Sequence, residues 1–316
     1  QIGGSMEAMR EVLAEQLADT SPAVRDLTDH VARFRGKQLR AGLVLLSARA
    51  AGNQSPELPT VAAIVELIHL ATLVHDDVLD GASVRRRVAS VNRRWDNQVA
   101  VLLGDFLYSR AFGLSTTLES RLCSRLLAET TRILCAGEIE SSTRRYDFEM
   151  GQAAYEKICG AKTASLYSAA CELGGRYPEG EPRRYEALRD FGWCVGLAFQ
   201  IVDDCLDVMG SEEVVGKSVG NDVEDGKVTL PVLHLYAQGD ERLRARLRDV
   251  YTLPEFAGRR AEELRAVCEP KQGVDYAMAR AEALVRDGLA RLETLPSSDA
   301  REVLETVGQY VLHRTW

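Results

Sequence analysis

The sequence predicts an all-α fold in a single domain, and three observations carry that prediction. Apolar residues recur at spacings of three and four, as in Leu67, Leu70 and Val74 and again in Leu122, Leu126, Leu127, Ile133 and Leu134, whereas sustained two-residue alternation is hard to find. None of the nine prolines falls between residues 60 and 177, so long helices are permitted there. No Ser/Gly-rich or Pro-rich linker interrupts the 316 residues, so one domain is expected over 6–316.

Taken in order, residues 1–5 (Gln-Ile-Gly-Gly-Ser before Met6) read as an expression scar, and the acids of MEAMREVL replace the cationic and apolar regions of an export signal. Pro56 and Pro59 introduce a long core helix over about 60–80. Its most apolar stretch, Val61 to Val74, is 14 residues broken by Glu66 and His69, short of the roughly 20 clean residues of a bilayer span. Gly174-Gly175, with Pro178 and Pro182, end one helix before another over about 184–209. No repeat at 20–50 residues is found. A formal charge of −8 argues against a nucleic-acid binder, which carries a basic face. Seven cysteines, odd in number and without C-x-x-C, suggest neither a disulfide framework nor a zinc knuckle, and a reduced cytoplasm is the expected location.

Two acidic clusters share the pattern D-D-x-x-D: Asp76, Asp77 and Asp80 in HDDVLD, and Asp203, Asp204 and Asp207 in VDDCLD. On a helix, positions i and i+4 share a face, so Asp76 stacks on Asp80 and Asp203 on Asp207. Each cluster follows an apolar run, so partial burial raises the cost of the like charges and calls for a cation. Hard oxygen donors with no Cys or His pair nearby suit Mg²⁺, which usually binds one or two carboxylates together with substrate phosphates. A solvated acidic helix end is the bland alternative, weakened by the second copy. Gln200 extends the second stripe in the order i, i+3, i+4, i+7, and His69 lies on a similar face to Asp76 and Asp80. Glu66 and His69 form a Glu-x-x-His, but no second copy exists, which disfavours a di-iron bundle.

Only 6 of the 39 basic residues are lysines, and four of these sit in short motifs: Lys37, Lys162, Lys217 and Lys227, three of them directly after a glycine. Compact ammonium charges beside flexible backbone suit phosphate, with a solvated lysine the alternative for each. The stretch from Gly210 to Ser218 nearly mimics a P-loop, but its glycines are five residues apart where four are required. Arg85-Arg86-Arg87 follows the first cluster closely enough for a guanidinium fork to reach a phosphate held there.

These residues resemble the trans-isoprenyl diphosphate synthases, or polyprenyl synthetases. The resemblance covers nearly the whole chain: GKQLR (36–40), LVHDDVLDGASVRR (73–86), LLGDFLYSRAF (102–112), AKTASL, GLAFQIVDDCLDVMG, GKSVGNDVEDGKVTLPVLH and a final YVLHR. Class I terpene cyclases share one aspartate-rich motif but not the second. The resemblance implies long helices around a central cavity, two facing aspartate motifs and a homodimer with no membrane span and no nucleic-acid partner. It implies that Asp76, Asp80 and Asp203 bind three Mg²⁺ on an allylic diphosphate, supported by Asp77, Asp204 and Asp207. Arg85, Lys162, Gln200, Lys217 and Lys227 would surround that diphosphate. Lys37, Arg40, His69 and Arg86 would hold isopentenyl diphosphate, and Thr163 and Gln200 would lie beside the allylic carbon.

In such enzymes the residues just before the first motif floor the elongation tunnel, and here they are small, Ala71 and Thr72. The chain would pass toward Ile68, Val65 and Ile64, adding on the order of 10 Å of depth. A long-chain product, C30 or longer, is expected over geranylgeranyl (C20). Departures from the pattern are Arg35, Gln38 and Ala41 around Lys37 and Arg40, Arg87 in place of Gly, and Ser141 in place of Gln. A non-catalytic subunit of a heteromeric synthase is the alternative from another class, but such subunits typically lose aspartate motifs that are intact here.

Overall fold

Prolines and left-handed glycines set the helix boundaries in this computed structural model, which describes residues 2–18, 21–34, 36–85, 88–209 and 220–314. In chain order the elements are α1 (Gly3–Leu17), α2 (Pro22–Val31), α3 (Leu39–Ala51), α4 (Leu58–Leu79), a hairpin of β1 (Val84–Arg85) and β2 (Val88–Ala89), α5 (Val91–Arg94) and α6 (Asn97–Ser115). There follow α7 (Leu122–Thr143), α8 (Gly151–Cys159), a π-turn (Gly160–Ala164), α9 (Ser165–Arg176) and α10 (Pro182–Met209). The last helices are α11 (Asn221–Glu224), α12 (Leu230–Gln238), α13 (Glu241–Thr252), α14 (Arg260–Val267), α15 (Lys271–Leu292) and α16 (Asp299–Leu312). The all-α expectation holds: among the described residues the two-residue strands of the hairpin, paired Val84 to Ala89 and Arg85 to Val88, are the only sheet.

Two compact units emerge from the packing. The first comprises Gln1–Thr130, Leu166–Gly192 and Arg291–Glu305, and the second Thr131–Ser165, Trp193–Ala290 and Thr306–Trp316. In the first, α4 is the central element and packs against α1, α3, α5 and α6. Every residue from Val61 to Thr72 is buried, so burial runs around the whole helix and not along one stripe. Pro59 sits in the first turn of α4, where a missing N–H costs nothing, and the helix therefore begins slightly earlier than the sequence predicts. With 22 residues, α4 is by length and composition apolar enough to cross a bilayer, but 78% of its most apolar window is buried inside the protein, as expected of a core helix. Close approach locks α4 to α6: a Cβ at Gly104 would lie 2.1 Å from Nε2 of His75, which itself sits 3.1 Å from the Val101 carbonyl oxygen.

In the second unit, α8 contacts the π-turn and α12, while α14 contacts α11 and α13. None of the seven cysteines forms a disulfide.

As expected, one helix closes in this stretch, α9 at Arg176, and the next starts at Pro182; the last turn of α9 holds Gly174 and Gly175. They are required by packing: a Cβ at Gly174 would lie 2.1 Å from the Val44 carbonyl oxygen of α3, and one at Gly175 would lie 2.6 Å from Leu188. Backbone cannot yield as a side-chain tip does, so Gly174→Ala is expected to destabilise the fold by about 1–3 kcal/mol, read as a lower melting temperature.

Candidate active site

The first aspartate motif occupies the C-terminal end of α4. The helix stops because Gly81 takes φ +60°, letting the Ala82 N–H donate to the Asp77 carbonyl (3.0 Å) and the Gly81 N–H to that of Val78 (3.4 Å). The three carboxylates are thereby sorted. Asp76 and Asp80 are half-buried on one face, whereas Asp77 is fully buried. Arg85, carried back by β1, donates from Nε to Asp77 Oδ1 at 2.8 Å and approaches the same oxygen with a second nitrogen at 2.5 Å. Burial pushes the Asp77 carboxyl above the usual carboxylate range, against the pull of the Arg85 charge. Asn92 donates to the Asp77 carbonyl at 3.0 Å and Ser90 to that of Ala82 at 2.6 Å, tying the hairpin to the helix end.

Further along the same unit, Arg40 on α3 donates to His69 Nε2 at 3.0 Å, so the imidazole carries its proton on Nδ1. The Arg40 guanidinium lies 4.5 Å from the centre of the Tyr167 ring, and its Nε is buried without a hydrogen-bond partner among the described residues. Lys37 is exposed just ahead of α3, beyond Gln38, which adopts φ +50° and accepts from Arg10 Nε at 3.0 Å. Ile68, Ala71 and Thr72 are buried, and the Thr72 hydroxyl donates to the His69 carbonyl at 2.8 Å.

The second motif lies on α10, in the other unit. Asp203 is half-buried and accepts from Arg314 at 2.6 Å. Asp204 is buried, accepting from the Tyr155 hydroxyl at 2.5 Å and from Gln200 Nε2 at 2.8 Å. Gln200 in turn accepts from the Thr163 hydroxyl at 2.7 Å, giving a continuous chain from Thr163 through Gln200 to Asp204 and Tyr155. Burial and then the neighbouring Asp222 charge hold the Asp204 carboxyl well above its ordinary range. Asp207, also buried, accepts the backbone N–H groups of Asn221 (3.3 Å) and Asp222 (3.1 Å) at the start of α11. It therefore anchors the segment that leads to Lys227.

Two of the expected phosphate-binding lysines, Lys162 and Lys227, are half-buried and paired with carboxylates. Lys162 rises from the π-turn and donates to Glu138 at 2.9 Å, turning to a carboxylate outside the Thr163–Gln200–Asp204 chain. Lys227 pairs with Asp225 at 3.2 Å and lies 3.7 Å from Asp222. A π-turn inserts one residue into a helix and is frequent at functional sites. Its approach to α7 is tight: a Cβ at Gly137 would lie 2.6 Å from the Ala161 Cβ and 3.1 Å from the Lys162 nitrogen. Gly137→Ala is expected to displace Lys162 and lower kcat on the order of 10- to 100-fold without loss of helix content, measured by steady-state kinetics and circular dichroism.

Arg86 and Lys217, both expected to touch diphosphate, lie outside the described residues. Tyr155, Glu138, Asp222 and Arg314 join the site without having been assigned a role from sequence. Two of them stand inside motifs read above, in GKSVGNDVEDGK and YVLHR, and Glu138 lies three residues before Ser141, whereas Tyr155 carries no sequence signal. Among the described residues no three His, Cys, Asp or Glu side chains are gathered closely enough to hold a metal on protein ligands alone. The all-oxygen donor set still fits Mg²⁺, which keeps waters and takes oxygens from a bound phosphate. The Arg314 guanidinium at Asp203 shows that this carboxylate accepts a cation.

Comparison with known proteins adds independent information. Residues 21–268 match the Polyprenyl synthetase family. An octaprenyl diphosphate synthase of Haemophilus influenzae is 33% identical over 98% of this chain and 94% of its own length. A short chain isoprenyl diphosphate synthase of Methanothermobacter thermautotrophicus is 34% identical over 98% of this chain and 96% of its own. A solved structure, the polyprenyl synthase of Caulobacter crescentus CB15 complexed with calcium and isoprenyl diphosphate, superposes with a TM-score of 0.95 at 32% identity, covering 100% of this chain and 96% of that one.

Proposed function

Because the chain belongs to the polyprenyl synthetase family and is a prenyl diphosphate synthase, we propose that it uses Mg²⁺ to condense isopentenyl diphosphate onto an allylic diphosphate, repeating the step to C30 or longer. The observation that carries the long-chain reading is the burial of the small Ala71 and of Ile68 in α4, with the Thr72 hydroxyl turned to the His69 carbonyl, below the first aspartate motif.

Asp76 and Asp80 in the first motif and Asp203 in the second would hold the metal, with Asp77, Asp204 and Asp207 fixing the helix ends behind them. Bound there, Mg²⁺ supplies charge that stabilises the departing diphosphate. Lys162 and Lys227 exchange their carboxylate partners for diphosphate oxygens as the C1–O bond breaks and negative charge grows, and Lys217 and Arg85 add to this field. The Thr163 hydroxyl and the Gln200 amide, held by Asp204, present oriented dipoles beside the allylic carbon. Arg40 has a buried Nε to offer the diphosphate of the second substrate, with Lys37, His69 and Arg86 alongside. The double bond of isopentenyl diphosphate attacks the allylic cation, and the released diphosphate takes the proton, so no protein base is needed. Buried apolar walls such as Ile64, Val65 and Ile68 keep water from the cation.

We read the enzyme as a cytoplasmic homodimer. Val101 and Leu102, 43% and 59% exposed on α6, are apolar surface suited to a second copy. The test of function is incubation with Mg²⁺, labelled isopentenyl diphosphate and geranyl, farnesyl or geranylgeranyl diphosphate, followed by chromatography of the dephosphorylated products. A ladder ending at C30 or beyond supports the reading. Termination at C20 replaces it with a geranylgeranyl synthase, a reading to which the similarity with a short-chain enzyme lends weight.

A further inference from the structure

Arg314, just beyond α16, is an unusual partner for a residue of the second aspartate motif. Its side chain is only 7% exposed, and its guanidinium lies 3.8 Å from the centre of the Phe199 ring on α10. One terminal nitrogen donates to Asp203 Oδ1 at 2.6 Å, a short charge-assisted bond. The other two nitrogens, Nε and the second terminal NH₂, are buried with no hydrogen-bond partner among the described residues. A guanidinium is planar and offers a rigid fork to phosphate oxygens, and buried donors left unmade carry a cost that an arriving anion removes.

We propose that Arg314 is a positioning residue that works by exchange: it is the counter-ion of Asp203 in the free enzyme, and when a divalent cation takes Asp203 the released guanidinium grips the allylic diphosphate. The inference rests on the reading of Asp203 as a metal ligand. It makes Arg314 oppose the metal in the absence of substrate and favour the diphosphate in its presence. A residue that merely stitched the chain end to α10 would do neither. Phe199 keeps the guanidinium at hand during the exchange, because the attraction of a cation to the ring face survives rotation in its plane.

The experiment titrates Mn²⁺ alone into the full chain, following free metal by electron paramagnetic resonance, and separately measures KM for the allylic diphosphate. Arg314→Met is expected to bind Mn²⁺ about tenfold more tightly without substrate, and to raise KM about tenfold with a smaller change in kcat. Arg314→Lys keeps the charge but not the fork, so its Mn²⁺ affinity stays near that of the parent while KM still rises. Parent-like Mn²⁺ affinity and KM in Arg314→Met overturn the inference. If that variant fails to fold, a parent-like KM in Arg314→Lys overturns it instead. Asp203→Asn separates the two levels: unchanged Mn²⁺ binding and turnover there remove the metal-ligand reading itself, whereas their loss, beside a parent-like Arg314→Met, removes only the role of Arg314.

Discussion

Asp76→Asn is expected to lower kcat/KM by about three orders of magnitude or more while leaving the melting temperature within a few degrees of the parent. The amide matches the carboxylate in shape but cannot supply the negative charge that retains a divalent cation, and the rate of this chemistry depends above all on stabilising the leaving group. The backbone bond at the helix end, from the Asp80 N–H to the Asp76 carbonyl at 2.8 Å, is untouched by the substitution. Asp77 is a different case, since its carboxylate is buried against Arg85, and the same substitution there destabilises the fold. Turnover of labelled isopentenyl diphosphate, with calorimetric melting alongside, checks the prediction; an Asp76→Asn enzyme within tenfold of the parent would remove the first motif from the metal site.

Ala71→Phe carries the second large expected effect, this time on product identity. Ala71 lies one helical turn ahead of Asp76 and is fully buried on α4. A phenyl ring at that place adds bulk in the direction of Ile68, Val65 and Ile64, the residues along which a growing chain is proposed to run. Each isoprene unit needs several ångströms of depth, so elongation is expected to stop at C15 or C20 while the rate of the first condensation changes little. Overpacking of a core helix costs about 1–3 kcal/mol, which the melting temperature will register. Radiochromatography of the dephosphorylated products decides the matter: an unchanged ladder means that the chain takes another route.

How much of this was legible beforehand depends on which physical rule each residue obeys. The two D-D-x-x-D clusters and the Gln200 stripe are properties of helical spacing, and α4 and α10 begin where their prolines allow, so both were readable from the chain. The sorting of acids within a cluster was not. Whether Asp77 or Asp76 turns inward is fixed by the hairpin that returns Arg85, and Asp204 is fixed by Tyr155 on another helix; neither partner stands at a helical interval from its acid. Gly174 and Gly175 marked the end of α9, but their packing role was hidden, because glycine that ends a helix and glycine that admits a neighbouring backbone are identical in sequence. Arg314 stood in the YVLHR motif, but its role was hidden, since an arginine looks solvated until Phe199 and Asp203 are seen around it.

The π-turn at Gly160–Ala164 has a consequence for how this chain can vary. One residue of helix is about 100° of rotation. Deleting a single residue from the turn would let α8 run into α9 with regular hydrogen bonds, a locally more comfortable helix, but it would change the angular phase between the two. Tyr155 would then lose its bearing on Asp204 relative to Thr163, and the small residues that α9 sets against α3 would rotate away. Local regularity and register are thus in conflict at this point, and the length of the turn is as constrained as the identity of Lys162 and Thr163 within it.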